Sequence, residues 1–293
     1  LRKEFLLATG RVRAAADKID IQRQALDTSA STIETGREVG LRSIALFGFF
    51  LAAFTPTPPV FELRDVDLSG WDCATKPEGA AKSQDGEERN RQKNRSPVDL
   101  AGVTILNFDT AGFLAHVAEY DRQLHATHRR ELNPEQKTLL ENFEKEIVSI
   151  TGWLNFAYQG MPETTNCRSD QFLDWHLEVF AAASDHPPRV GDSTPIICEI
   201  TPRTEAQLYR SGVRMQNLAP FLRLPDNTVK ATSGGKAHKV RVTGFLMWDD
   251  EHGGANDVGT TVERFSPKGW HNPWRSTAWE IHPVLKIEDL GAE

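Results

Sequence analysis

The chain of 293 residues carries 34 basic and 41 acidic side chains, a net charge of −7, with 39% hydrophobic residues. That is enough apolar material for a packed core. The acidic balance argues against bare nucleic-acid binding, which rests on Lys and Arg neutralising phosphates. Three cysteines without a Cys-x-x-Cys pair exclude a disulfide-dense miniature scaffold and a cysteine-pair zinc module.

Residues 1–60 read as a leader. Arg42 precedes the apolar run Ile44–Phe54, which ends at Thr55-Pro56-Thr57-Pro58-Pro59. A run of that length falls short of the about 20 residues that cross a bilayer, so no transmembrane span is expected. A positive flank, a short apolar stretch and small residues near its end match a secretory signal peptide. The expectation is a secreted or periplasmic protein; a core helix at 44–54 would instead leave it cytoplasmic. Export permits a disulfide. Cys73 and Cys167 lie in polar contexts suited to pairing, and Cys198 lies in an apolar strand as a buried thiol, but all three pairings stay open.

Residues 61–144 read as a polar loop and a helical segment. The charge-dense stretch 72–98, centred on Glu87–Arg95, predicts a solvated loop or a short exposed helix. Phe113, Leu114, Val117, Tyr120 and Leu124 have helical spacing within Ala111–Arg130. His116, His125 and His128 in this stretch are expected at the surface, without carboxylate partners. Asn133-Pro134-Glu135-Gln136 is a helix start, with an Asn cap, Pro in the first turn and Gln closing a capping box. That helix is expected to run to about Lys145.

Residues 145–290 read mainly as strands: Ile147–Tyr158, Phe172–Phe180, Pro195–Thr201, Lys239–Trp248 and Trp279–Ile287, with a helix over Thr204–Leu224. The order β-β-β-α-β-β is that of the OB barrel, a small five-stranded Greek-key barrel. Gly152 and Gly244 sit where such barrels bend tightly. The expected class is therefore α+β, mainly β: an OB-like barrel preceded by a helical segment. An open sandwich with one helix at its end is the alternative.

Alternation along the strands sorts side chains by face. Trp175, Leu177 and Val179 fall opposite Asp174, His176 and Glu178; Cys198 and Ile200 fall opposite Glu199, Thr201 and Arg203; Trp279 and Ile281 fall opposite Glu280 and His282. In an OB barrel the third strand lies between the second and the fifth. His176, Glu199, Glu280 and His282 are then expected to converge on one outer face. Two imidazoles with carboxylates suit a zinc-type ion or a general acid/base pair. The same residues also serve as ordinary cross-strand pairs on a sheet surface. In the long loop before the fifth strand, Asp249, Asp250, His252 and Asp257 suggest calcium, although the spacing is not that of an EF loop. Trp270, His271, Trp274 and Arg275 suit stacking on a sugar or base. Zinc-protease, nucleophile-elbow and phosphate-loop motifs do not occur, so no reaction is named.

The run Trp274–Val284, with Asp174-Trp175-His176, Glu199 and Asp249–Gly253, resembles a family of uncharacterised bacterial proteins, many of them exported. In that family an Asp-x-His strand, a later Glu, an Asp-x-x-His-Gly turn and a Glu-Ile/Leu-His-Pro strand recur together. Asp174/His176, Glu199, Asp249/His252/Gly253 and Glu280/His282/Pro283 match these elements, over residues 145–290. The resemblance implies an exported domain and this choice of polar residues, not a reaction. Thermonuclease-like barrels share the strand order and use acids around Ca²⁺ with arginines on phosphate; Arg203 and Arg275 would fill that role. The first expectation is an exported OB-like domain that binds a small-molecule, sugar or phosphate ligand, with zinc or calcium on the strand 2-3-5 face. A metal-assisted hydrolase or phosphodiesterase is the second, and a structural or interaction module the third.

Overall fold

The computed structural model describes residues 62–71, 84–266 and 269–292, all within the compact unit Pro56–Glu293. The candidate signal peptide at 44–54 and Cys73 lie outside the described residues.

The strand β2 (Ile147–Gln159) organises the sheet. It pairs antiparallel with β3 (Trp175–Phe180), which pairs antiparallel with β4 (Ile196–Ile200). Next to β4 runs β10 (Trp279–Ala292), parallel to it, and β7 (His238–Trp248) closes the ring antiparallel to both β10 and β2. The helix α4 (Pro202–Arg210) lies between the third and fourth barrel strands in sequence. The order β2-β3-β4-β10-β7 is the expected OB order, and the barrel is closed.

The residues that alternation assigned to the interior of the second, third and fifth barrel strands form the core together with residues of the fourth. Trp175, Leu177, Val179, Ile196, Cys198, Ile200, Val240, Val242, Leu246, Trp279 and Ile281 are buried together. They share that core with Phe113, Val117, Tyr120 and Leu124 of α2 (Thr110–Leu124) and with Leu140 and Phe143 of α3 (Pro134–Phe143). The cap of α3 is the expected box: Asn133 Oδ1 accepts from Gln136 N and Gln136 Oε1 accepts from Asn133 N, both at 2.9 Å. Gly152 marks a close crossing, since a Cβ there would lie 2.7 Å from Val179 Cγ1 and 2.8 Å from Phe180 O.

Four expectations need correction. The stretch 72–98 is not simply solvated: Gln84–Lys93 forms a helix, α1, in which Arg89, Asn90 and Lys93 are buried. The helix expected over Thr204–Leu224 breaks after α4, where Gly212 takes a left-handed φ of 92°. One turn follows, α5 (Met215–Leu218), and then β5 (Phe221–Arg223), which pairs parallel with β2 and antiparallel with β6 (Val229–Ala231). The helix expected over Ala111–Arg130 ends at Leu124, where His125 turns left-handed. Finally, His116 and His128 have acidic neighbours: His116 Nε2 lies 3.1 Å from Glu146, and His128 Nδ1 3.8 Å from Asp250. Further strands had no sequence expectation: β6, β1 (Ile105–Asp109), parallel to β2, and the ribbon of β8 (Arg264–Phe265) with β9 (His271–Asn272).

Candidate functional site

Strand register brings the outward polar side chains together. His176 on β3 is opposite Glu199 on β4, and Cys198 of β4 is opposite Ile281 of β10, which places Glu280 and His282 beside Glu199. His176 Nε2 lies 3.1 Å from Glu199 Oε1, and His282 Nδ1 lies 2.9 Å from Glu199 Oε2 and 3.0 Å from Glu280 Oε1. The expected outer face therefore exists. It does not face water: His282 and Glu280 are fully buried and Glu199 is 2% exposed. The cover comes from α1, from the 3-10 turn Thr164–Asn166 and from the loop after β7. Lys93 Nζ reaches Glu163 at 3.0 Å, Arg89 reaches Asp250 at 2.8 Å, and Arg275 reaches Asp249 at 2.7 Å.

Asp174, Glu199 and His282 each offer one donor atom within 4.8 Å of the others. Of the four residues expected to hold a metal, Glu199 and His282 belong to this group. His176 and Glu280 stand one step out, as partners of those two. Asp174, expected only as a ligand contact, takes the third place. Its Oδ1 accepts from Asn166 Nδ2 at 3.0 Å, and Asn166 Oδ1 accepts from Arg203 Nη1 at 3.3 Å. Arg203 is buried and also holds Thr165 O at 3.2 Å, so it braces the turn that orients Asp174. Asp174 Oδ2, His176 Nδ1 and His282 Nε2 are buried without hydrogen-bond partners. Each such atom costs about 1–3 kcal/mol where nothing compensates it.

Charge explains the proton affinities. Burial pushes the Asp174 carboxyl up to about 6, with Glu163 and Glu199 adding to it. Burial also pushes Glu199 up, but His176 and His282 outweigh it and hold that carboxyl well below the usual range. Burial opposes a proton on His282, yet Glu199 and Glu280 raise its affinity to about 10. Five carboxylates here (Glu163, Asp174, Glu199, Asp249, Glu280) face three fixed cations, Lys93, Arg203 and Arg275. With the imidazoles neutral, two negative charges are left. Protons on the imidazoles, or one divalent cation, would balance them.

The loop residues do other work. Asp249 Oδ2 accepts from His252 Nδ1 at 2.6 Å and from Arg275 Nη1 at 2.7 Å, and Arg275 also bridges to Glu280. Burial opposes charge on the His252 ring, but Asp249 raises its proton affinity to about 9. Asp250 is held by Arg89 and by Arg129, whose Nε lies 3.2 Å away. Asp257 accepts from Trp274 Nε1 at 2.8 Å. Asp249 Oδ2, both oxygens of Asp250 and Asp257 Oδ1 accept from protein donors, Asp249 Oδ1 is buried without a hydrogen-bond partner, and the three acids form no joint cation cage among the described residues. The Arg223 guanidinium lies 3.4 Å from the Trp270 ring centroid and 3.8 Å from that of Tyr158; the Arg275 guanidinium lies 4.5 Å from Trp274. His271 Nε2 lies 3.2 Å from the buried Glu178.

Sequence reasoning missed Lys93, Asn166, Tyr158 and Arg223. Tyr158 stacks on the His176 ring at a centroid distance of 4.9 Å. Alternation along β2 would have found Tyr158. Lys93 and Arg223 come from segments whose pairing no local pattern encodes. No known protein family, curated protein or solved structure matches the chain.

Proposed function

We propose that the protein is an exported OB-barrel domain that binds one divalent cation of the zinc class through Asp174, Glu199 and His282. One observation carries the reading: three buried donors of two carboxylates and an imidazole lie within 4.8 Å of one another. An ion held at about 2.0–2.2 Å from each needs such proximity. The unsatisfied Asp174 Oδ2 and His282 Nε2 support it. Glu280 on His282 Nδ1 is the kind of carboxylate that orients a metal-bound imidazole through its other nitrogen. A nitrogen ligand favours zinc over calcium, which prefers oxygen throughout. Burial of all three donors favours binding over hydrolytic turnover.

The elements that resemble the exported bacterial family, Asp174/His176, Glu199, Asp249/His252 and Glu280/His282, meet on this one covered face, which supports reading them as a single site. Cys167 is disulfide-bonded and Cys198 is a free buried thiol. A disulfide supports residence in an oxidising compartment, in keeping with the leader. Equilibrium zinc titration tests the reading. Asp174→Asn and Glu199→Gln are each expected to weaken binding at least about tenfold. Wild-type affinity in both variants would overturn it.

A further inference from the structure

The helix α1 reads Gln-Asp-Gly-Glu-Glu-Arg-Asn-Arg-Gln-Lys and contains no apolar side chain. Hydrophobic burial therefore does not hold it on the barrel, yet Arg89, Asn90 and Lys93 are buried. Polar contacts hold it instead. Arg89 pairs with Asp250 at 2.8 Å and with the exposed Glu251 at 3.0 Å, Lys93 with Glu163 at 3.0 Å, and Asn90 Nδ2 with Thr164 Oγ1 at 3.5 Å. Just beyond the helix, Arg95 donates to Leu246 O at 3.1 Å and His282 O at 2.7 Å, and it lies over the Phe245 ring. The chain is thus anchored to the barrel at Arg95, while the helix before it rests on one buried ion pair, Arg89–Asp250, and on two whose acidic partners, Glu163 and Glu251, reach solvent. Such pairs weaken with salt.

This helix carries Lys93 into the acid cluster, where its ammonium acts on Glu163, Glu199, Asp249 and Glu280. An ammonium and a divalent ion compete for the same negative field. We propose that α1 is an ion-pair-latched cover and Lys93 a tethered cation, so that a divalent ion enters the Asp174–Glu199–His282 site by displacing Lys93. The proposal rests on the cation reading above and adds its regulation. It gives the ion a route from solvent that leaves the barrel intact.

Zinc titration of wild-type protein and Lys93→Met tests it. Lys93→Met is expected to bind zinc about tenfold tighter or more; equal or weaker binding overturns the cover while leaving the cation reading in place. No zinc uptake by either protein overturns both. Because Lys93→Met leaves Glu163 without its ion-pair partner, Lys93→Met/Glu163→Gln provides a second variant with the same expectation. In wild-type protein, the rate of zinc uptake should rise between about 50 mM and about 500 mM NaCl as the latch is screened. A flat or falling rate overturns the latch.

Discussion

His282 Nδ1 on β10 lies 2.9 Å from Glu199 Oε2 on β4, across the one parallel pairing that closes the barrel. The contact joins two strands whose sequences are some eighty residues apart, and both side chains are buried. Buried charge of this kind needs a partner for each group. Glu199 has two imidazoles, and His282 has two carboxylates.

That arrangement sets protons against metal. The folded His282 has its proton affinity raised from 6.5 to about 10, chiefly by Glu199 and Glu280 against the cost of burial. A raised value contributes stability that is complete below 6.5 and is lost as pH rises through 10. Metal needs the ring unprotonated. The rise in Tm on adding zinc should therefore be larger at pH 9 than at pH 6. A larger rise at pH 6 would contradict the competition.

Glu205 offers a test of burial beside Asp174, whose charge also raises its proton affinity. It accepts from Trp175 Nε1 at 3.1 Å, and burial pushes its carboxyl up from 4.5 to about 7. Its contribution to stability is complete below 4.5 and is lost as pH rises through 7. Glu205→Gln keeps an acceptor for Trp175 and removes the charge. Urea unfolding at pH 8 should show a gain of about 1–3 kcal/mol, with little change at pH 5. A loss at pH 8 would mean that the carboxylate is compensated there.

Arg129 joins the helical segment to the barrel. Its guanidinium pairs with Glu144 at 3.1 Å and with Asp250 at 3.2 Å, all three being buried. Arg129→Met should lower unfolding free energy by about 3–5 kcal/mol, because buried Glu144 loses its ion-pair partner and buried Asp250 keeps only Arg89. A loss below about 1 kcal/mol, typical of exposed pairs, would show that the network relaxes.

The barrel crossing at Gly152 leaves no room for a methyl group, with Val179 and Phe180 against it. Gly152→Ala should destabilise by about 1–3 kcal/mol in chemical unfolding. An unchanged midpoint would mean that β3 can shift away from β2.

The barrel was legible because strand alternation survives burial: the residues opposite Trp175, Leu177 and Val179 are polar although β3 is buried throughout. Strand order then placed His176, Glu199, Glu280 and His282 together before any distance was known. Their burial was not legible. It comes from α1, whose composition reads as a solvated helix, and which is held by partners 70 to 161 residues away in sequence. The helix break at Gly212 was missed for a related reason. Leu218 and Phe221 fit a helical spacing, but Phe221 is taken by β2, opposite Phe156. The loop acids were read as free oxygens, whereas Arg89, Arg129, Arg275 and Trp274 occupy them. Pairing of side chains from separate segments is a tertiary fact, and no window of sequence contains it.

Anomalous diffraction at the zinc edge from crystals grown with zinc tests the central claim most directly. The account predicts one strong peak within about 2.0–2.2 Å of an oxygen of Asp174, an oxygen of Glu199 and a nitrogen of His282. An empty site with zinc bound elsewhere, such as at the exposed His125, would contradict it.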